Sequence, residues 1–173
     1  VHLNVPIREP FYPAADEKYS FDNPRVIHTP STEKSLSDQD WQRLTAEWND
    51  ANKRMLVVGQ NLPDSTLTEV LSSFSEDEII ILNEITGNQH GLSNVLSKQD
   101  LFLTQQSELE SPDLLITLGN SFISKNLKIF LRNHPAANHW HIREGFRLND
   151  SLKQLSSTID MRSSDFLKEL SVR

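Results

Sequence analysis

The chain has no cysteine. That removes a disulfide framework, a thiolate nucleophile and any Cys-based zinc site, and it fits a reducing, cytoplasmic setting. Glycine is scarce, at five in 173 residues, and the five do not form a dinucleotide fingerprint or a P-loop. No apolar run approaches the ~20 residues that span a bilayer, so no membrane span is expected. No signal-peptide pattern opens the chain. An excess of positive charge is also missing. Lys and Arg number 17 against 24 Asp and Glu, for a net charge of -7. A nucleic-acid partner, which needs a dense basic patch, is therefore not expected. There is no Gly-x-Ser-x-Gly elbow and no convincing acid pair.

What is present reads as one domain behind a linker. Val1-His2-Leu3-Asn4-Val5 alternates apolar and polar as a half-buried strand does. A chain that starts in mid-strand without Met reads as a piece of a longer polypeptide. Pro6, Pro10, Pro13, Pro24 and Pro30 then exclude regular helix and central strand over residues 6–34. Residues 1–34 are thus expected to be a strand end and linker, and residues 35–173 a folded domain.

Within that domain, strands and helices alternate. Ser37 with Asp40 predicts a capped helix start, and Trp41, Leu44 and Trp48 share one face. Met55-Leu56-Val57-Val58-Gly59, Ile79-Ile80-Ile81-Leu82 and Leu114-Leu115-Ile116-Thr117-Leu118-Gly119 are continuous apolar runs, the pattern of strands buried on both faces. Pro63 and Asp64 open a helix carrying Leu67, Val70, Leu71 and Phe74. Residues 92–103 read as weakly helical. Ile123, Leu127, Phe130 and Leu131 mark a helix after the third strand. His139 to Ile142 and Thr158 to Met161 read as further strands, and Ser164 to Leu170 as a closing helix. The expected fold is α/β: a Rossmann-like parallel sheet with helices on both faces. Ligands of such sheets sit in the loops beyond the strands' carboxyl ends, here starting at Gly59, Asn83 and Gly119.

Few residues in this pattern carry chemistry. Gly59 stands alone where a dinucleotide site needs three glycines, so a plain strand-to-helix turn is expected. His139 and His141 share a strand face and would make half a metal site. The blander expectation is two half-exposed histidines on an edge strand. His90, in a glycine-flanked loop, is equally ambiguous. Asn149-Asp150-Ser151 fits a glycosylation sequon, a pattern short enough to arise by chance. The best local candidate is Gly119-Asn120-Ser121-Phe122-Ile123-Ser124-Lys125. Free N–H groups at a helix start attract anions, and Lys125 there opposes the helix dipole. An anionic ligand would account for that lysine; so would a solvated surface position.

Three stretches, read together, resemble the SEPHCHC synthase (MenD) family of thiamine-diphosphate enzymes. They are Val1 to Pro13 with its Arg-Glu-Pro-Phe-Tyr-Pro continuation, Arg54 to Gly59, and Pro112 to Leu127. The first and third are fairly specific; the second is generic. The resemblance implies that the chain is the central domain of an enzyme of menaquinone (vitamin K2) biosynthesis. That transferase would use thiamine diphosphate and Mg2+ to decarboxylate 2-oxoglutarate and join the remainder to isochorismate. The resemblance places cofactor and metal between the pyrimidine-binding and diphosphate-binding domains of opposite protomers. The full-length enzyme would then be a homo-oligomer, and this chain alone would carry no catalytic, cofactor or metal residue and be inactive. Its implied contribution is Lys125, contacting a substrate carboxylate, with Asn120, Ser121 and Ser124 shaping the pocket. Asn126 stands where some relatives carry Arg, which puts a second cation at that point in doubt.

Two other identities fit the same pattern. One is the central domain of another thiamine-diphosphate enzyme, such as an acetolactate synthase. The other is a free-standing binding or regulatory module for an aromatic acid, with Arg25, Arg143 and Arg147 as candidate cations.

Overall fold

The computed structural model describes residue 27 and residues 35–103, 110–145 and 150–173. The strand expected at residues 1–5, nearly all of the proline-rich segment, Arg25, Arg147 and Asn149 lie outside the described residues.

The chain runs α1 (Asp38–Asp50), β1 (Arg54–Val58), α2 (Ser65–Ser73), β2 (Ile80–Asn83), a 3-10 turn (Ile85–Gly87), β3 (Val95–Leu96), α3 (Gln99–Phe102), β4 (Leu114–Leu118), α4 (Lys125–Asn133), β5 (Asn138–Ile142), β6 (Ser157–Ile159) and α5 (Ser163–Leu170). The strands form one sheet in the order β3-β2-β1-β4-β5-β6, and every pairing is parallel. The expected α/β, Rossmann-like sheet is what forms.

Side-chain alternation along the strands builds two cores. Leu56 and Val58 of β1, with Ile116 and Leu118 of β4, pack with Trp41, Leu44, Leu67, Leu71, Phe166 and Leu167 of α1, α2 and α5. Met55, Val57 and Leu115 point the other way, against Leu127, Phe130 and Leu131 of α4. Fully burying one such Leu or Phe is worth roughly 1.5–3 kcal/mol, so the two faces hold the sheet from both sides. Caps set the helix starts. Ser37 Oγ accepts the Asp40 N–H and donates to Asp40 Oδ2. Asp64 Oδ1 accepts the Leu67 N–H, and its other oxygen takes Arg162 and Ser164 of the α5 start.

Three expectations need correction. Residues 92–103 are not one helix: a two-residue strand, β3, and the single turn α3 share them. Lys98 at φ +64° stands between the two and breaks any continuous helix. Ile123 is not on the apolar face of α4; it precedes the helix and is 62% exposed, while Phe122 turns inward. Finally, β5 lies inside the sheet between β4 and β6. His139 is therefore buried and His141 half-buried, rather than half-exposed on an edge.

Candidate functional site

The strand order reverses between β1 and β4, and the crevice beyond such a switch point is the usual ligand position. Here the protein's own loops fill it. The Gly59 N–H donates to Leu118 O (3.0 Å), the Gln60 N–H to Ser121 O (2.9 Å) and the Asn120 N–H to Gln60 O (2.9 Å). A Cβ on Gly119, at φ +82°, would meet Gln60 O at 2.4 Å, and one on Gly59 would meet Ser121 O at 2.8 Å. These two glycines serve the packing of loop on loop. The close backbone approach that a pyrophosphate would use is taken by the chain itself.

Open space lies on either flank of that seam. On the β2 side a cavity of about 380 Å³ is lined by Glu84, His90, Lys98, Asp100, Ile123 and Ser124, among others. On the β5 side a cleft of about 420 Å³ is bordered by Asp64, Asn120, Arg143 and Arg162.

The start of α4 joins the seam to the first cavity. The first N–H groups of a helix lack internal partners and carry positive partial charge. Ser124 caps this helix, accepting the Leu127 N–H at 3.0 Å, and its hydroxyl donates to Asp100 Oδ1 at 2.6 Å. Asn126 Nδ2 donates to Asp100 O at 3.3 Å. Just ahead of the helix, the Glu84 carboxylate accepts two backbone N–H groups, Ile123 at 2.6 Å and Ser124 at 2.8 Å. Glu84 is only 2% exposed, and its own N–H donates to Val58 O at 3.0 Å. The end of β2 thus presents a carboxylate to the start of α4.

The N–H groups of residues 123 and 124 are not free for an external anion; Glu84 holds them. What this edge presents outward is the side chain of Lys125, exposed at the first position of α4. The Glu84 and Asp100 carboxylates offset the conflict between that cation and the helix dipole.

The other candidates fall in different places. Ser124 is buried, with its hydroxyl engaged on both sides as described. Ser121 is exposed and gives its carbonyl to the seam. Asn120 is exposed and faces the cleft on the opposite flank from Ser124. The four residues therefore belong to one loop but not to one pocket. Arg143, one of the three candidate cations for an aromatic acid, borders the Asn120 cleft beside Arg162 and Asp64.

His139 and His141 do share a face, and they converge on a hydroxyl. Thr117 Oγ1 lies 2.9 Å from His139 Nε2 and 2.9 Å from His141 Nδ1. Burial, and then the neighbouring Arg143 charge, hold the His141 pKa below its usual value, with the Thr117 contact opposing them. Among the described residues, no group of three or more His, Cys, Asp or Glu could hold a metal ion. Sequence reasoning misses Glu84 altogether. Its one signal is position: an acidic residue directly beyond a continuous apolar strand, at the edge where ligands and loops meet.

No protein-family model matches the chain. Curated relatives do. The chain is 31% identical over 176 residues to 2-succinyl-5-enolpyruvyl-6-hydroxy-3-cyclohexene-1-carboxylate (SEPHCHC) synthase of Cytophaga hutchinsonii, covering 99% of this chain and 31% of that protein. It is 32% identical to the enzyme of the same name from Phocaeicola vulgatus, covering 98% and 31%. For Flavobacterium psychrophilum the identity is 30%, covering 98% and 30%. The chain spans about a third of the length of these relatives. No helix among the described residues is long and apolar enough to cross a membrane.

Proposed function

We propose, from its kinship along nearly its whole length with one third of the SEPHCHC synthases, that this chain is the central domain of such an enzyme. The observation that carries the reading is identity of 30–32% over 98–99% of the chain to proteins that share that one name. In this reading the full-length protein is a cytoplasmic homo-oligomer that joins decarboxylated 2-oxoglutarate to isochorismate. Thiamine diphosphate and Mg2+ supply the decarboxylation and carbon–carbon bond chemistry, held by the pyrimidine-binding and diphosphate-binding domains.

The chain itself does two things. It keeps the flanking domains in register on a rigid sheet, and it presents Lys125 to a substrate carboxylate, on the isochorismate side. A lysine suits that task because a charge-assisted hydrogen bond to a carboxylate is about twice as strong as a neutral one. Exposure of Lys125 at the carboxyl edge of the sheet supports the assignment. Ser124 fixes the helix start behind it, and Asn120 and Ser121 shape the loop.

The test is an assay of the full-length polypeptide with both substrates, thiamine diphosphate and Mg2+. Consumption of 2-oxoglutarate that depends on isochorismate supports the reading. An active decarboxylase indifferent to isochorismate overturns it and favours another thiamine-diphosphate enzyme.

A further inference from the structure

We infer that Glu84 is a positioning residue for Lys125: its buried carboxylate, clamped on the Ile123 and Ser124 N–H groups, fixes the loop that aims the lysine and keeps external anions off the backbone beside it. The inference rests on the reading of Lys125 as a substrate contact and adds to it a residue from a different strand.

The geometry carries two consequences. First, the clamp is bidentate across consecutive amides, at 2.6 and 2.8 Å, immediately before the residue that starts α4. A second carboxylate, Asp100, holds the Ser124 hydroxyl at 2.6 Å. The backbone on the amino side of Lys125 is thus tied to β2 and α3 together. A carboxylate accepts from both amides. A glutamine amide would accept from one and turn its own N–H groups toward the other. Second, N–H groups at a helix start form a ready anion site. With a buried negative charge already there, a substrate carboxylate arriving at this edge is repelled from the backbone and meets the Lys125 ammonium instead. Glu84 would then set which group binds the anion as well as where that group sits.

The test uses the full-length enzyme and four variants: Lys125→Ala, Glu84→Gln, Glu84→Asp and the double variant Glu84→Gln/Lys125→Ala. Small misplacements of a contact group can cost up to about 100-fold. The expected result is a roughly tenfold rise in KM for isochorismate in Glu84→Gln, with KM for 2-oxoglutarate unmoved. Glu84→Asp keeps the charge on a shorter arm and should show the same split more weakly, which preserves the test if the glutamine variant does not fold. Because Glu84 acts through Lys125, Glu84→Gln should add nothing on the Lys125→Ala background. Inorganic phosphate should inhibit Glu84→Gln competitively against isochorismate more strongly than it inhibits the parent. A purely structural role would lower kcat for both substrates alike and add its effect to that of Lys125→Ala; that outcome overturns the inference. So does a silent pair of Glu84 variants beside a sensitive Lys125→Ala. A silent Lys125→Ala defeats the lysine assignment itself, and with it any positioning role built on it.

Discussion

Two carboxylates in this molecule perform the same local task at opposite ends of the sheet. At the amino end, Asp113 Oδ2 accepts the Asn52 and Lys53 N–H groups, both at 2.9 Å, and so ties the start of β4 to the start of β1. At the carboxyl end, Glu84 accepts the Ile123 and Ser124 N–H groups and ties β2 to the start of α4. Each accepts two consecutive backbone amides, but Asp113 takes both on Oδ2 whereas Glu84 uses Oε2 for Ile123 and Oε1 for Ser124; the surroundings differ as well. Asp113 sits in reach of water beside the exposed Lys53–Glu110 ion pair, whereas Glu84 is buried, at 2% exposed, under the loop it holds. When a clamp near water is lost, the solvent can replace it. When a buried one is lost, a buried donor such as the Ser124 N–H stays unpaired, at about 1–3 kcal/mol. The same kind of carboxylate–amide tie is thus expected to be replaceable by water at one edge and costly to lose at the other.

The sharpest way to break the comparison is to remove both side chains in turn. Glu84→Ala should lower the unfolding free energy by about 3 kcal/mol, read from the urea midpoint at unchanged slope. Asp113→Ala should move the midpoint much less. Equal shifts would mean that water reaches the Ile123 and Ser124 amides and that burial is not what separates the two clamps.

Next in size is Lys125→Ala. In the full-length enzyme the KM for isochorismate should rise about tenfold, while that for 2-oxoglutarate holds, as for loss of one charge-assisted contact. The stability of the chain should change by no more than about 0.5 kcal/mol, since the side chain is exposed. A large stability loss with unchanged kinetics would move Lys125 from the substrate to the scaffold.

The contrast also explains what could be read in advance. The sheet was legible because continuous apolar runs at 55–58, 79–82 and 114–118 admit few other fates. Asp113 and Lys125 lay inside a recognisable stretch, and Ser37 and Asp64 announced their helices by capping chemistry that is local in sequence. Glu84 was not legible because its partners lie 39 and 40 residues away. The same limit hid the pairing of β5 with β6, which turned His139 and His141 from edge residues into interior ones bonded to Thr117. Short β3 was missed because two residues carry no period. Local patterns thus showed the elements and one exposed cation, and tertiary pairing supplied the carboxylate behind it.

Between the two edges, His141 tests burial at an intermediate level. Its folded pKa lies below the unfolded 6.5, through burial first and then the Arg143 charge. The unfolded chain therefore binds the proton more readily than the fold does. The stability tied to this group is complete above pH 6.5 and drains as pH falls from there toward the folded pKa. His141→Gln should flatten the stability profile below pH 6.5 and leave it unchanged at pH 8 relative to its own plateau. A profile that keeps its slope in the variant would assign the acid sensitivity to another group.

The smallest effect belongs to Asp113. Its folded pKa is held below the usual 3.8, first by the Lys53 N–H and then by the Asn52 N–H. For a depressed carboxylate the sign runs the same way as for His141, in a lower window. The contribution is present above the unfolded pKa and is lost as pH falls through the folded one. Asp113→Asn should therefore remove part of the stability slope below pH 3.8 while leaving the urea midpoint at pH 7 only slightly reduced. Solvent screening keeps the contribution of an exposed group small. An acid-range slope that survives in Asp113→Asn would mean that water already satisfies the Asn52 and Lys53 amides in the parent. The amino-end clamp would then be dispensable, and the buried Glu84 clamp would be the one of the two that the fold requires.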